Sequence, residues 1–377
     1  MSPIVSLSFE DFNYVFHALR SAEFRSINGS GCTVASVGCA GRWYFDWINE
    51  CLNHPKTHLG VEFFNEKPES LPENAVWITN TASDLSGIGA ESVDIVISGQ
   101  NIEHLLPDEI DKFILEAWRV LKPGGRFVMD SPNRLVTAAL KWIHPEHFVE
   151  FTPDEIREVL ELSGFSADVR GVWLCRDNDG EWLPLSPRDE KDFLWRAVTA
   201  ARFPDESFSW WVEARKTEHA PQVQALQSRM EEIARNALTE RKQRLWLTQV
   251  GTEKATALGT VFAADKGSAG YVIYGPYLPL PAGSYRFSMR VGFEHVPAED
   301  SVLAIVDIVS AQGTCQHYRK ELTRSDAVGD ANGYVTIEGE LSLDNIAFGC
   351  EVRVYSTGIA AVSVIKDVDI SSSGKIW

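Results

Sequence analysis

The run Val34-Ala35-Ser36-Val37-Gly38-Cys39-Ala40-Gly41 is short and apolar at three of its first four residues, then breaks on two glycines in four positions. A helical pattern follows over 43–52, so the stretch reads as a buried strand turning on glycine into a helix. Such a turn brings backbone N–H groups close to whatever sits on it, although strand-to-helix turns of this kind also occur without a ligand. The next apolar run, Gly60-Val61-Glu62-Phe63, carries a carboxylate near its end. Runs at 33–37, 58–63, 75–79, 93–98 and 126–130 read as strands, and amphipathic stretches at 43–52, 107–121 and 153–163 read as helices between them. Lys122-Pro123-Gly124-Gly125 stops the second helix. Alternation of this kind predicts an α/β fold with a mostly parallel sheet and helices on both faces.

Outward from this block, Phe9, Phe12, Val15, Phe16 and Leu19 recur at three and four, which predicts a helix before the first strand. Residues 207–215, with Trp210 and Trp211, read as a late strand that completes the sheet after a long insertion at 174–206. Between 221 and 245, Val223, Leu226, Met230, Ile233, Leu238 and Leu245 trace one stripe. This is a connecting helix packed on a domain or, on a second reading, a dimerising coiled-coil segment. Beyond Gly251 helical spacing gives way to short runs at 271–274, 285–291, 302–309, 335–341 and 350–355, separated by Pro- and Gly-rich turns. They predict an all-β antiparallel sandwich. The expected division is 1–217 for the α/β domain, 218–248 for a linker helix and 249–377 for the sandwich.

A chain of 377 residues, 44 % hydrophobic, is long enough for two such domains. Its formal net charge of -18 argues against nucleic acid as a partner, because phosphate backbones are bound by clustered Lys and Arg. The six cysteines are widely spaced with no CxxC pair, which reads as reduced thiols and a cytoplasmic location. The start Met-Ser-Pro-Ile-Val-Ser lacks a secretory pattern, and no window approaches the roughly 20 apolar residues of a transmembrane helix.

A dinucleotide site on the glycine turn would need small residues at 38, 40 and 43, and Trp43 defeats that reading. The set formed by residues 36–41, Gly60-Val61-Glu62, Asn80-Thr81-Ala82-Ser83-Asp84-Leu85 and Ser92-Val93-Asp94-Ile95-Val96-Ile97-Ser98 resembles the class I S-adenosylmethionine-dependent methyltransferases. Asn101-Ile102-Glu103-His104-Leu105, Arg119-Val120-Leu121-Lys122-Pro123-Gly124-Gly125 and Phe151-Thr152-Pro153-Asp154-Glu155 continue the resemblance in order and spacing, over about 30–216. It implies a Rossmann-like seven-stranded sheet and S-adenosyl-L-methionine as cofactor. Gly38, Cys39, Ala40 and Gly41 would border its methionine part, Glu62 and Phe63 the ribose side, Thr81, Ala82, Ser83 and Asp84 the adenine, and Ser98, Gly99 and Gln100 the sulfonium. Three positions depart from the family: Ser36 stands for an acidic residue, Ala40 for the second glycine and Arg42 for the third. The contacts to the amino-acid tail are therefore open, and Arg42 either pairs with its carboxylate or points to solvent. At Thr81 the family often has Asp, so the adenine contact falls to Asp84 or the backbone.

Methyl transfer to an alcohol needs a base, and three histidines lie in loops after sheet strands: His104, His144 and His147. His104 reads equally as an anchor of the loop. Pro145 disfavours a regular His-x-x-His metal pair, so no metal is expected. Asn133 and Glu103 are the candidate acceptor contacts; Asn133 reads alternatively as a turn stabiliser with Ser131. The C-terminal part, through Gly270-Tyr271-Val272-Ile273-Tyr274-Gly275-Pro276-Tyr277 and Leu278-Pro279-Leu280-Pro281-Ala282-Gly283-Ser284-Tyr285, looks like the carbohydrate-binding sandwiches that accompany some methyltransferases of bacterial polysaccharide synthesis. These tyrosines offer faces for sugar rings, or simply pack the strands. The resulting expectation is an O-methyltransferase acting on a sugar hydroxyl of a surface polysaccharide such as O-antigen, or of its precursor, with a glycan partner and a homodimer as the oligomer. The alternatives are a small-molecule or lipid methyltransferase whose sandwich mediates oligomerisation, and a glycan-binding protein without catalysis.

Overall fold

The computed structural model of the chain describes residues 9–372, so the reading of the first six residues lies outside them. Two compact units are present. The first takes the described residues up to Trp142 together with Val149–Ala234, and the second takes Ile143–Phe148 and the described residues from Arg235 onward.

The first unit runs α1 (Phe9–Arg25), β1 (Thr33–Val37), α2 (Arg42–Cys51), β2 (Thr57–Glu62), β3 (Ala75–Thr79), β4 (Val93–Gly99), a 3-10 turn (Ile102–His104) and α3 (Pro107–Val120). It continues with β5 (Leu121–Pro132), α4 (Arg134–Ala139), α5 (Pro153–Leu162), β6 (Phe165–Gly171), α6 (Glu190–Thr199), β7 (Ser209–Lys216) and α7 (Val223–Arg244), within which the boundary between the units falls. The sheet has seven strands in the order β3-β2-β1-β4-β5-β7-β6, with β1 to β5 parallel and β7 antiparallel to both neighbours. This is the Rossmann-like α/β sheet expected from the sequence. The order reverses between β1 and β4, and in open α/β sheets the crevice at the carboxyl ends of such strands is where ligands bind.

Several elements follow from local chemistry. Helix α5 begins in a capping box, in which Thr152 Oγ1 accepts from Glu155 N (3.3 Å) and Glu155 Oε2 accepts from Thr152 N (2.9 Å). Lys122–Gly125 lies in a register break between β4 and β5, where Val93 pairs with Leu121 but Ile95 pairs with Arg126. Helix α1 lays Phe12 against Phe208 and Phe24 against Trp211, both edge-on, at centroid distances of 5.4 and 4.7 Å. Strand β6 has no counterpart in the sequence reading because it is an edge strand whose apolar run is broken by Ser166, Asp168 and Arg170. The strand read as completing the sheet, β7, is interior, which accounts for two successive fully buried tryptophans, Trp210 and Trp211. The insertion at 174–206 contains α6.

Gly60 on β2 is required for close packing under the glycine turn: a Cβ there would lie 2.1 Å from Phe45 Cζ and 2.6 Å from Cys39 Sγ. Gly60→Ala is expected to destabilise the first unit by about 1–3 kcal/mol. Chemical denaturation measures this, and an unchanged midpoint would contradict the packing argument.

The second unit is all-β and antiparallel: β8 (Thr252–Thr256), β9 (Gly259–Ala264), β10 (Ala269–Leu280), β11 (Gly283–Glu294), β12 (Val302–Ser310), β13 (Cys315–Thr323), β14 (Tyr334–Leu343), β15 (Ala347–Thr357), β16 (Ala361–Ile365) and β17 (Asp369–Ser372). One sheet has the order β10-β15-β12-β13, and the other β14-β11-β16-β9-β8 with β17 paired to β11. A single core draws Val272, Val306 and Val352 from the first sheet and Phe287, Met289 and Val362 from the second. Residues 143–148, which lie inside the first domain of the sequence reading, pack with this unit. Gly349 N donates to Pro145 O (3.2 Å), and Arg241 donates to the carbonyls of His144 (3.0 Å), His147 (2.7 Å) and Tyr277 (2.7 Å). Among the described residues, no helix is long and apolar enough to cross a membrane.

Candidate active site

The carboxyl ends of β1, β2 and β4 bring together the residues singled out from sequence. After β1 the chain reverses on Gly38 (φ 78°) and Gly41 (φ 105°), left-handed positions that favour glycine. Space matters as well at Gly38, where a Cβ would lie 2.7 Å from Asn101 Oδ1. Asn101 in turn donates from Nδ2 to Ser98 Oγ (3.1 Å), so the glycine turn and the end of β4 touch. Cys39 is buried, and its thiol is pushed up to about 12 by burial and by the nearby Glu62 charge, so it stays protonated.

Glu62 closes β2 with 6 % exposure. Its Oε1 accepts from the backbone N–H of Phe64 (2.7 Å) and Asn65 (3.0 Å), while Oε2 has no donor among the described residues. Phe63, next in sequence, is exposed. In the loop after β3, Thr81 Oγ1 meets Ser83 Oγ at 3.2 Å and Asp84 accepts from Ser86 N at 2.9 Å; hydrogen bonds from the Ser86 side chain and backbone hold the exposed Asp84 carboxyl below its usual range. The loop is anchored from α3, where Arg119 donates to the carbonyls of Leu85 (2.8 Å) and Ile88 (3.0 Å).

Beyond β4, Gln100 takes a left-handed conformation (φ 52°) and is pinned at both ends by Asp130, through N to O and Nε2 to Oδ2, each 2.8 Å. The fully buried Asp130 also receives Arg20 from α1, with Nε at 2.6 Å from Oδ2 and Nη2 donating to Oδ1 at 3.0 Å. Burial works against the Arg20 charge, and the Asp130 carboxylate more than restores it.

Ser36 is turned into the protein rather than toward the crevice. Its hydroxyl lies 2.7 Å from His58 Nε2, and His58 Nδ1 lies 3.1 Å from Asn49 Oδ1. Asn74 Nδ2 donates both to Pro55 O (2.8 Å) and to Asn49 Oδ1 (3.2 Å). The Pro55 carbonyl only accepts, so the whole chain is oriented: Asn49 Oδ1 accepts, His58 carries its proton on Nδ1, and Ser36 donates to Nε2. Burial drives His58 down to about 3, which keeps it neutral. Arg42 faces outward to Asp46 (3.3 Å) and Ser70 (2.5 Å).

Residues 36–129 match the family described as methyltransferase domain. This segment is a methyltransferase domain. The cofactor of such domains is S-adenosylmethionine. Over 85 residues, 22 % of the chain, the sequence is 39 % identical to a protein of Mycolicibacterium smegmatis named "Probable S-adenosylmethionine-dependent methyltransferase", and the match covers 32 % of that protein. Similar solved structures include a SAM-dependent methyltransferase from Archaeoglobus fulgidus, at 18 % identity over 54 % of this chain and 94 % of that one, TM-score 0.39. Another, from Mesorhizobium loti, is 15 % identical over 54 % of this chain and all of that one, TM-score 0.38.

The remaining candidates are spread over both units. Glu103 is fully buried in the 3-10 turn, where its charge helps hold Arg20, and no acceptor reaches it directly. Asn133 is a correction to the reading as an acceptor contact. It is fully buried, its Oδ1 caps α4 by accepting from Leu135 N (3.0 Å), and its Nδ2 donates to the carbonyls of Pro204 (3.0 Å), Asp205 (3.1 Å) and Ser207 (3.1 Å). The alternative reading of a turn stabiliser applies instead. His104 ends the 3-10 turn and is partly exposed. His144 and His147 belong to the second unit, with stacked rings 4.2 Å apart. Sequence reasoning misses Arg20 because the apolar stripe of α1 reads only as a helix before the sheet. A signal existed: Phe12, Phe16, Arg20 and Phe24 share one i, i+4 stripe, and a charge in a buried stripe requires a buried partner.

Proposed function

We propose that the chain as a whole is an S-adenosylmethionine-dependent O-methyltransferase whose acceptor is a sugar hydroxyl of a bacterial surface polysaccharide or its precursor. The observation that carries the cofactor half is Glu62: a carboxylate at the end of β2 with one oxygen fixed by two backbone N–H groups and the other turned to no protein donor. A vicinal ribose diol is a fitting partner for such an oxygen. The glycine turn at 38–41 fits close approach of the methionine part, and the loop 81–84 fits the adenine edge. When bound, the cofactor supplies an electrophilic methyl group on a sulfonium. The protein's task is alignment: Gln100 and Asp130 fix the floor after β4, and a base among His104, His144 and His147 would take the acceptor proton.

Support for a sugar acceptor comes from the second unit. On the face of its four-stranded sheet away from the core, cross-strand partners place Tyr271 beside Tyr355, Tyr274 beside Arg353, and Arg353 beside Asp307. Tyr271 and Tyr355 meet at 5.4 Å, the Arg353 guanidinium lies 4.9 Å from the Tyr271 ring, and Asp307 grips Arg353 with both oxygens (2.8 and 2.7 Å). Aromatic rings beside fixed planar charged groups suit a ligand with a hydroxyl-rich rim and an apolar ring face. Tyr285 is not part of this face: it is buried, and its hydroxyl donates to Pro281 O (2.9 Å).

Calorimetry with S-adenosylhomocysteine tests the cofactor, and transfer of labelled methyl from S-adenosylmethionine to lipopolysaccharide and capsular polysaccharide preparations tests the acceptor. Label on sugar oxygens is the expected result. Cofactor binding with label only on amines or lipid would overturn the acceptor assignment, and no cofactor binding would overturn the enzyme reading.

A further inference from the structure

We propose that Arg20 binds the carboxylate of the cofactor's methionine tail, with Asp130 as the residue that positions it; this rests on the cofactor reading above. The two positions beside the glycine turn that sequence left open for the tail are engaged elsewhere. Ser36 has no exposed surface and donates to neutral His58, and Arg42 is bound to Asp46 and Ser70 on the outer side of α2. Neither offers a charge to an amino-acid group in the crevice.

Arg20 does. Its guanidinium lies against the backbone of Gly99, where a Cβ would come within 2.3 Å of Nη2 and 2.7 Å of Asp130 Oδ1. Gly99 ends β4, next to the Ser98–Asn101–Gly38 contact that joins β4 to the glycine turn. The cation therefore stands at the end of β4, where the sulfonium is expected, next to the turn that would border the methionine part. Asp130 occupies the Nε and Nη2 edge, and among the described residues no acceptor is provided for Nη1. The side chains differ in access as well: Arg20 keeps 10 % exposure and Asp130 none, so the carboxylate is closed to a ligand while the arginine side chain is not wholly covered. The rings of Trp47 (5.2 Å) and Phe16 (6.0 Å) flank the guanidinium, so its orientation is set before any ligand arrives. A planar guanidinium with one edge fixed by a carboxylate and the other edge open is suited to a second carboxylate, which it binds in a charge-assisted hydrogen bond.

The alternative is a staple that ties α1 to the sheet and meets no ligand. The two are separated by calorimetry with S-adenosylhomocysteine and with 5′-methylthioadenosine, which has the adenosine and thioether but no amino-acid tail. For Arg20→Met and Arg20→Lys, affinity for S-adenosylhomocysteine should fall about tenfold while that for methylthioadenosine is unchanged. Arg20→Lys, which keeps a cation beside Asp130 but not the planar fork, should give the same selective loss even if Arg20→Met does not fold. Methylthioadenosine binding is itself the check on folding. Equal losses for the two ligands, or no loss for either, would overturn the assignment. A wild-type protein that binds neither ligand would instead overturn the cofactor reading.

Discussion

Replacing Glu62 by alanine is expected to lower affinity for S-adenosylhomocysteine by about a hundredfold or more, since hydrogen bonds to a charged group contribute roughly 1.5–3 kcal/mol each and a ribose diol makes two. The carboxylate has two tasks that the substitution removes together. Oε1 holds the turn at Phe64 and Asn65, and Oε2, with no donor among the described residues, is the atom proposed to meet the ribose. Glu62→Gln separates them, because an amide oxygen still accepts from the two backbone N–H groups while the charge is gone. It should retain the melting temperature of the wild type and lose roughly tenfold in affinity. If both variants bind within about threefold of wild type by calorimetry, Glu62 is not the ribose ligand.

The second large effect is on stability against acid, and it resides in His58. In the unfolded chain this imidazole takes up a proton near its ordinary value of 6.5, whereas burial holds it down to about 3 in the fold. Between those values the unfolded state binds more protons than the native state, so stability falls as pH falls. The contribution is fully present above 6.5 and is lost progressively toward 3, on the order of 4–5 kcal/mol across the whole window. A group that must stay neutral is consistent with its partners: His58 donates to Asn49 and accepts from Ser36, and a second proton would leave Nε2–H facing a hydroxyl that no longer has an acceptor. Carboxylates elsewhere also contribute to acid lability, so the difference between variants is the measurement. His58→Gln should be less stable than wild type at pH 7 but should lose less on going to pH 4. Parallel curves of denaturation midpoint against pH would show that His58 is not the source.

His58 also illustrates how the site divides between what was readable in advance and what was not. Its sequence context, a strand position two residues before Gly60, carries no sign of a Ser36–His58–Asn49–Asn74 chain, since the four residues come from different elements and meet only when β1, β2 and α2 are packed. Arg20 and Asp130 are 110 positions apart. By contrast, Gly38, Gly41 and Glu62 were legible individually, because a left-handed turn after an apolar strand and a carboxylate at a strand end are local patterns with local causes. The candidate Asn133 misled for the same reason. A polar residue after a strand looks available, and only the fold shows its amide consumed by three carbonyls of the chain before β7.

The amino-acid sequence by itself determined the two-part architecture, the five parallel strands and the glycine turn, because period, turn chemistry and strand-end residues act over a few positions. Tertiary structure alone decided that β7 lies inside the sheet with β6 at its edge, that residues 143–148 belong with the second unit, and which charged side chain stands at the end of β4. Each of these depends on contacts between residues far apart in the chain, and hydrogen-bond pairing and burial at that distance leave no periodic trace in the sequence.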